Sequence, residues 1–290
     1  MPKIAHLVIN PTAGGYSPTR CAAITAALEG CGFTPEVLST EGPDDAGGFA
    51  RRICAGEAEP FIIAGGGDGT VNGVVNGLAP GRATLAVIPM GTSNVLAREI
   101  GIVSIDDALR RIARGRARSM SVGLLEKGEV SRHFLLMAGI GFDGAVVEQV
   151  RPGEKRALKQ GAYILSALRC LCSWEEELFE VTADGKRIAC HSVVVCNGAR
   201  YGGKFLMAPG ADIFTPRFDL VCITGNRRGT YVRAATRLLS GRGLAGKDVA
   251  LLKGSDVTIG GARPVQLDGD YVCHAPVRLR AVRDFVRLIV

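Results

Sequence analysis

No hydrophobic run in this 290-residue chain approaches the roughly 18 residues that a membrane-crossing helix needs, so nothing in it reads as a span. It has no C-x-x-C pair. Its nine cysteines, at 21, 31, 54, 170, 172, 190, 196, 222 and 273, are an odd number, with only Cys170 and Cys172 close together. That usage excludes a disulfide framework and reads as free thiols in a reducing compartment. Histidine is scarce: His6, His133, His191 and His274 are too far apart for a zinc motif. Aromatics make up 6%, without the aromatic-basic interleaving of single-strand binders, so no nucleic-acid partner is expected. The start, "MPKIAHLVINP", reaches strand-like sequence after three residues and leaves no room for a targeting segment. A cytoplasmic chain is expected.

What is present bounds the fold. At 47% hydrophobic the chain can bury one large core or two ordinary ones. The net charge of +7, from 35 Lys+Arg against 28 Asp+Glu, is densest at Arg110–Arg118, Arg151–Lys159 and Arg227–Arg242. Such clusters are either solvated faces or attractors for anionic nucleotides or an anionic membrane surface.

Residues 1–117 alternate apolar strands ("IAHLVIN", "TPEVLS", "PFIIAG", "TLAVIP") with helices over Pro18–Cys31 and Asp44–Ala55, a short one from Val71, and one from Asn94. That rhythm predicts an α/β domain around a parallel sheet, with ligands at the carboxyl ends of the strands. Residues 118–282 change character. "SMSVGLLEKGEVSRHFLLMAGIG" reads as two strands about Lys127-Gly128, and "LFEVTADGKRIACHSVVVC" carries an Asp-Gly hairpin at 184–185. Short strands continue to the end, with helices near 155–173 and 230–240. The expectation is a mainly antiparallel β-sandwich, the tail 283–290 being a candidate to rejoin the first domain.

Gly65-Gly66-Gly67-Asp68-Gly69 follows a buried strand and opens a helix. Such a turn aims backbone N–H groups at a phosphate, and the adjacent glycines cost backbone entropy that needs a reason. A tight strand-to-helix turn alone is the competing reading. A P-loop is excluded by the absent Lys-Ser/Thr, and a dinucleotide turn by Asn72 in place of its last glycine. A carboxylate here would repel phosphate unless a divalent cation bridges them. "NPTAGG" (10–15), Thr40 and "IPMGTSNVLA" (88–97) end the neighbouring strands and could line the same crevice.

"INPTAGG", "GGGDGTVNGVVNGL", "IPMGTSNVLAREIG", "GIGFDGAVV" (139–147), "CNGARYGGKFLMAPGA" (196–211) and "LDGD" (267–270) together resemble the diacylglycerol kinase-type lipid kinases, a family including soluble bacterial diacylglycerol kinases and sphingosine and ceramide kinases. The resemblance covers nearly the whole chain, whereas GGDGT alone is shared with NAD kinases and phosphofructokinases. It implies an N-terminal ATP domain, a β-sandwich domain carrying the acceptor, a cleft between them and a tail that returns. It implies ATP contacts at Asn10, Thr12, Thr40, Gly66, Gly67, Asp68, Gly69, Thr70, Asn72 and Thr92. It also implies Mg²⁺ held through Asp68, directly or through water. Asp270 would be the general base, with Asp68 and Asp268 completing the catalytic group.

This chain departs from the family pattern. Asp270 stands where glutamate is usual, one methylene (~1.3 Å) shorter, a shift of the size that matters for positioned catalysis. Val95 replaces an acid found in many bacterial members, and Thr215-Pro216 replaces an Asp-Gly associated with a structural metal. Asp-Gly at 268–269 is also an ordinary hairpin turn, and Asp143 is an extra acid or a turn residue. The segment 154–174 sets an apolar side (Leu158, Tyr163, Ile164, Leu165, Leu168) beside Lys155, Arg156, Lys159 and Arg169. It packs on the sandwich or lies in a lipid interface. Arg200 or Lys204 could meet phosphate charge. The expected activity is phosphorylation of a membrane-lipid hydroxyl, diacylglycerol to phosphatidic acid or a ceramide or sphingoid base to its phosphate, by an enzyme visiting the inner membrane face. A soluble-substrate kinase of the NAD kinase type and a catalytically weak lipid-binding module are the alternatives. Oligomeric state is open, a homodimer included.

Overall fold

The structure, a computed structural model, describes all residues except 1, 2, 152, 155–157, 159, 160, 204, 242, 243 and 245. The chain divides into two units, Met1–Val122 with Gly202–Lys204 and Val282–Val290, and Gly123–Tyr201 with Phe205–Ala281.

The first unit runs β1 (Lys3–Ile9), α1 (Pro18–Gly30), β2 (Phe33–Ser39), α2 (Asp45–Gly56), β3 (Phe61–Gly66), α3 (Asp68–Gly77), β4 (Thr84–Pro89), α4 (Val95–Glu99) and α5 (Ile105–Arg114). Its strands are ordered β2-β1-β3-β4 and all pair in parallel. Every residue of β3 is buried, as a central strand covered on both faces requires. α3 starts at Asp68 rather than near Val71, because the Gly67 carbonyl already accepts from the amides of Thr70 and Val71 at 3.0 and 3.2 Å. Asp68, Gly69 and Thr70 are therefore the first helical turn. The chain's last strand adds to this sheet. Arg287 and Leu288 pair in parallel with Thr84 and Leu85, and Phe285, Val286, Leu288 and Ile289 are buried.

The second unit begins within β5 (Ala117–Lys127). It continues through β6 (Val130–Phe134), β7 (Met137–Gly141), α6 (Phe142–Glu148), the helix Gly161–Cys172, β8 (Phe179–Ala183), β9 (Lys186–Cys190) and β10 (Ser192–Cys196). The short pair β11 (Arg200–Tyr201) and β12 (Phe205–Leu206) precedes β13 (Phe218–Ile223), the helix Arg228–Leu239 and β14 (Val249–Gly254). β15 (Asp256–Ile259), β16 (Pro264–Leu267), β17 (Asp270–His274) and β18 (Val277–Ile289) end the chain. The strands β14-β13-β10-β7-β16-β17 form an antiparallel sheet. Inward residues such as Ile140, Val195, Leu220 and Leu267 meet Phe134, Val181, Val257 and Leu279 of the opposing strands in one core. This is a sandwich.

The expected pair of strands over 119–141 is corrected. The stretch 119–141 forms three strands, not two: β6 and β7 belong to different sheets, and the break at Leu135–Leu136 is where both amides leave the ladder for the Asp268 carboxylate. The helix expected over 155–173 is described over Gly161–Cys172; the basic residues Lys155, Arg156 and Lys159 lie outside the described residues, as does Lys204.

Candidate active site

In the first unit, backbone bonds draw together the loops that follow β1, β3 and β4. Asn10 N donates to Gly65 O (2.9 Å), Met90 N to Gly66 O (2.9 Å) and Gly15 N to Met90 O (2.8 Å). The glycines permit this approach. A Cβ on Gly66 would collide with the Thr70 side chain, and one on Gly91 would meet Gly67 Cα at 2.5 Å. No side chain caps α3 at Gly67, and above Gly69 a Cβ would find nothing within 4 Å. An uncapped first turn beneath open space leaves backbone donors and the positive end of the helix dipole for an anion.

Asp68 stands in that first turn, and its Oδ1 accepts from the amides of Val95 (2.6 Å) and Leu96 (3.3 Å) at the start of α4. Burial pushes its carboxyl above the usual range, and the amides of Leu96 and Val95 pull in the opposite direction. Its neighbour across the turn, Asn94, is held at φ +47° by exchanging hydrogen bonds with Gly91: Gly91 N to Asn94 Oδ1 at 2.8 Å and Asn94 Nδ2 to Gly91 O at 2.7 Å. No role is assigned to Gly91 or Asn94 from sequence. The available signal was an asparagine just before an apolar run, a residue type that tolerates a left-handed backbone.

The other candidates separate. Asn10 Oδ1 accepts from Thr12 N (2.9 Å) and Oγ1 (2.8 Å), while its Nδ2 reaches Thr70 Oγ1 at 3.5 Å. Asn10, Thr12, Gly66, Gly67, Asp68, Gly69 and Thr70 thus form one constellation. Thr40 directly follows β2, its amide donating to Ile9 O (2.9 Å), and Thr92 is exposed in the loop after β4. Asn72 is buried within α3, where its Oδ1 accepts from Asn76 Nδ2 at 2.9 Å, a position that supports the helix rather than facing solvent.

In the second unit, Leu267 pairs with Asp270, so Asp268–Gly269 is a two-residue hairpin loop with φ of +50° and +94°, as a type I′ turn demands. The Asp268 carboxylate accepts from the amides of Leu135 (2.7 Å), Leu136 (2.9 Å) and Met137 (3.0 Å). Asp268 therefore anchors the β6–β7 crossing to the turn, and its oxygens are committed to that task rather than offered to a proton in transit. Asp270, first residue of β17, is exposed, with Arg132 Nη2 3.9 Å from its Oδ2. Asp143, at the start of α6, accepts from Tyr201 Oη and from Gln266 Nε2 (2.8 Å), and burial raises its carboxyl.

Comparison with known proteins agrees with this architecture. The diacylglycerol kinase catalytic domain family matches residues 4–125, and the YegS C-terminal NAD kinase beta sandwich-like domain family matches residues 137–290. The chain is 31% identical over 280 residues to a diacylglycerol kinase of Bacillus subtilis (strain 168), covering 93% of this chain and 90% of that one. It is 25% identical over 296 residues to a diacylglycerol kinase of Staphylococcus carnosus, covering 99% and 95%. A solved diacylglycerol kinase from Bacillus anthracis str. Sterne shares the fold at TM-score 0.75 and 22% identity, over 99% of this chain and 96% of that one.

An α/β unit with an uncapped glycine turn and a β-sandwich partner define the class: this is a lipid kinase. The chain belongs to the diacylglycerol kinase catalytic domain family, with the YegS-type C-terminal sandwich.

Proposed function

We propose that this chain transfers the γ-phosphoryl group of Mg·ATP to a hydroxyl of a membrane lipid, with diacylglycerol the acceptor to test first. The observation that carries it is the glycine turn at 65–69, where bare backbone, an uncapped helix start and one carboxylate meet. The names of the relatives favour diacylglycerol over a ceramide or sphingoid base.

The donor set bears on the metal. Among the described residues no three His, Cys, Asp or Glu side chains cluster. Asp68 brings one carboxylate, with Oδ1 shared between two amides. That suits Mg²⁺, which keeps several waters and takes one or two carboxylates plus substrate phosphates. Bound there, the ion would neutralise charge on the phosphates. The α3 amides and Gly67 would orient them, and Asp270 would take the acceptor proton, its side chain being accessible.

The lipid surface is met, in this reading, by the helix Gly161–Cys172. It buries Ala162, Ser166 and Cys170 and exposes Ile164 (67%), Leu168 (56%) and Leu165 (38%). Leu165 and Leu168 line an open groove with Arg169 and Cys172. No helix among the described residues is long and apolar enough to cross a membrane, so contact through one exposed face suits this chain.

The test is purified protein with labelled ATP, Mg²⁺ and detergent-dispersed diacylglycerol, ceramide and sphingosine, with NAD as the soluble acceptor. Label in phosphatidic acid is expected. Label in NAD, or in nothing, overturns the reading.

A further inference from the structure

Gly139 lies at the centre of β7, directly opposite Gln266 of β16. A side chain is impossible there: a Cβ would collide with the Asp143 carboxylate and come within 2.7 Å of Gln266 Nε2. α6 is pressed onto the same spot, since a Cβ on Gly144 would collide with the Pro264 carbonyl. A glycine in a strand interior weakens the strand and marks the close approach of something else. Here that something is a carboxyl group folded back over the sheet. Val265 and Leu267 on either side of Gln266 point into the sandwich core, which leaves Gln266, 1% exposed, on the opposite face under α6.

A chain of hydrogen bonds crosses this face. Tyr201 Oη donates to Asp143 Oδ1, Gln266 Nε2 donates to Asp143 Oδ2 (2.8 Å), and Gly269 N donates to Gln266 Oε1 (2.7 Å). Gln266 can accept from Gly269 only if its amide oxygen faces the turn, which requires its Nε2 to face an acceptor. Asp143 is that acceptor. Gly269, at φ +94°, immediately precedes Asp270, so its orientation sets where the Asp270 side chain leaves the turn. Asp184–Gly185 is a second Asp-Gly turn of the same left-handed type. Its aspartate likewise caps neighbouring amides, those of Ser255 and Asp256. The Gln266 pin is thus an addition to what such a turn needs.

We infer that Asp143 is a positioning residue for phosphoryl transfer: acting through Gln266, it fixes the Gly269 turn and so the direction in which Asp270 meets the acceptor hydroxyl. This rests on the reading of Asp270 as the base. An acceptor at 143 is what the arrangement needs, not a charge. Asparagine there can still accept from Gln266 while its amide donates to the Tyr201 oxygen.

Four variants of the full chain test this: Asp143→Ala, Asp143→Asn, Asp270→Asn and the double variant Asp143→Ala/Asp270→Asn. Two readouts are used, steady-state kinetics and hydrogen exchange of the Gly269 amide. Asp143→Ala is expected to speed Gly269 exchange at least about tenfold and to lower kcat about 10- to 100-fold with KM for ATP unchanged, the cost of a misplaced group. Asp143→Asn should stay within about threefold of wild type in both, because only the acceptor matters. On the Asp270→Asn background, Asp143→Ala should change kcat no further. If Asp143→Ala does not fold, Gln266→Leu cuts the same link from the other side and is read the same way.

Unchanged Gly269 exchange in Asp143→Ala overturns the inference, as does an Asp143→Asn variant as impaired as Asp143→Ala. Wild-type turnover by Asp270→Asn instead overturns the base assignment and leaves the exchange data to judge the pin.

Discussion

Oδ1 of Asp68 lies 2.6 Å from the amide nitrogen of Val95, so the acid in the first turn of α3 is also the cap of α4. The two tasks separate by substitution. Asp68→Asn keeps an acceptor for Val95 and loses the charge, so stability to urea should stay within about 0.5 kcal/mol of wild type. Its turnover should fall on the order of 100-fold. Asp68→Ala loses both, and urea titration should show a further cost of about 1 kcal/mol for the missing cap. Equal stability of the two variants would mean that the cap is idle.

The contact between Gly67 and Gly91 sets a second expectation. A Cβ at 91 would meet Gly67 Cα at 2.5 Å and Asn94 Oδ1 at 2.9 Å, both parts of a tightly bonded loop. Gly91→Ala should destabilise by about 1–3 kcal/mol as overpacking does, and raise the KM for ATP. Gly14→Ala, where a Cβ meets nothing within 4 Å, is the control and should leave the melting temperature in place. Indistinguishable melting of the two variants would remove the steric argument.

How far the sequence could be read follows from what each residue answers to. β3 and α3 were legible because a continuous apolar run and a glycine turn are local signals, and the α/β and sandwich halves followed from the change of period near 117. The split of β6 from β7 was not, because its cause is Asp268, more than 130 residues away in sequence. The same distance hid the duty of Asp268 itself. An Asp-Gly pair announces a turn, but only the folded chain shows that its carboxylate is spent on Leu135, Leu136 and Met137. Asp68 is an intermediate case: its place beside the glycines was readable, and its second duty at Val95 was not.

Acid should weaken the fold through the arginines of β18. Arg280 grips Glu126 with both Nε and Nη2 at 2.7 Å, and Arg278 holds Asp256 with Nε at 2.9 Å. The Arg280 hydrogen bond keeps the Glu126 carboxyl below its usual range, and the Arg278 bond does the same for Asp256. A carboxyl with a depressed folded-state pKa contributes stability above its unfolded value, near pH 4, and that stability is lost as pH falls through the folded value. Thermal melts from pH 7 down to pH 2.5 should therefore show Arg280→Gln below wild type at pH 7 and converging with it at the acid end. Both partners are solvent-accessible, so 1 M NaCl should shrink the difference at pH 7. A gap that persists at the lowest pH would assign the effect to lost packing of the arginine stem.

The proposal that the exposed face of the helix Gly161–Cys172 meets the lipid surface sets a further expectation. Ile164 and Leu168 are one helical turn apart, and the opposite side of the helix is already committed: Ser166 Oγ donates to Val146 O at 2.6 Å, and Ala162 and Cys170 are buried. Replacing Ile164 and Leu168 by serine therefore removes outward apolar surface without disturbing what holds the helix. Burying each side chain in a lipid interface is worth about 1.5 kcal/mol, so the pair accounts for about 3 kcal/mol, or about 100-fold in partition. Flotation with anionic vesicles should show that loss for Ile164→Ser/Leu168→Ser, while kcat toward a short-chain diacylglycerol in detergent solution stays at wild type. If the double variant binds vesicles as the parent does, this face is not the one that meets lipid. If detergent-phase turnover falls along with binding, the helix acts on the Asp270 turn, which Tyr163 Oη reaches through the Gly269 carbonyl at 3.4 Å, rather than on the membrane.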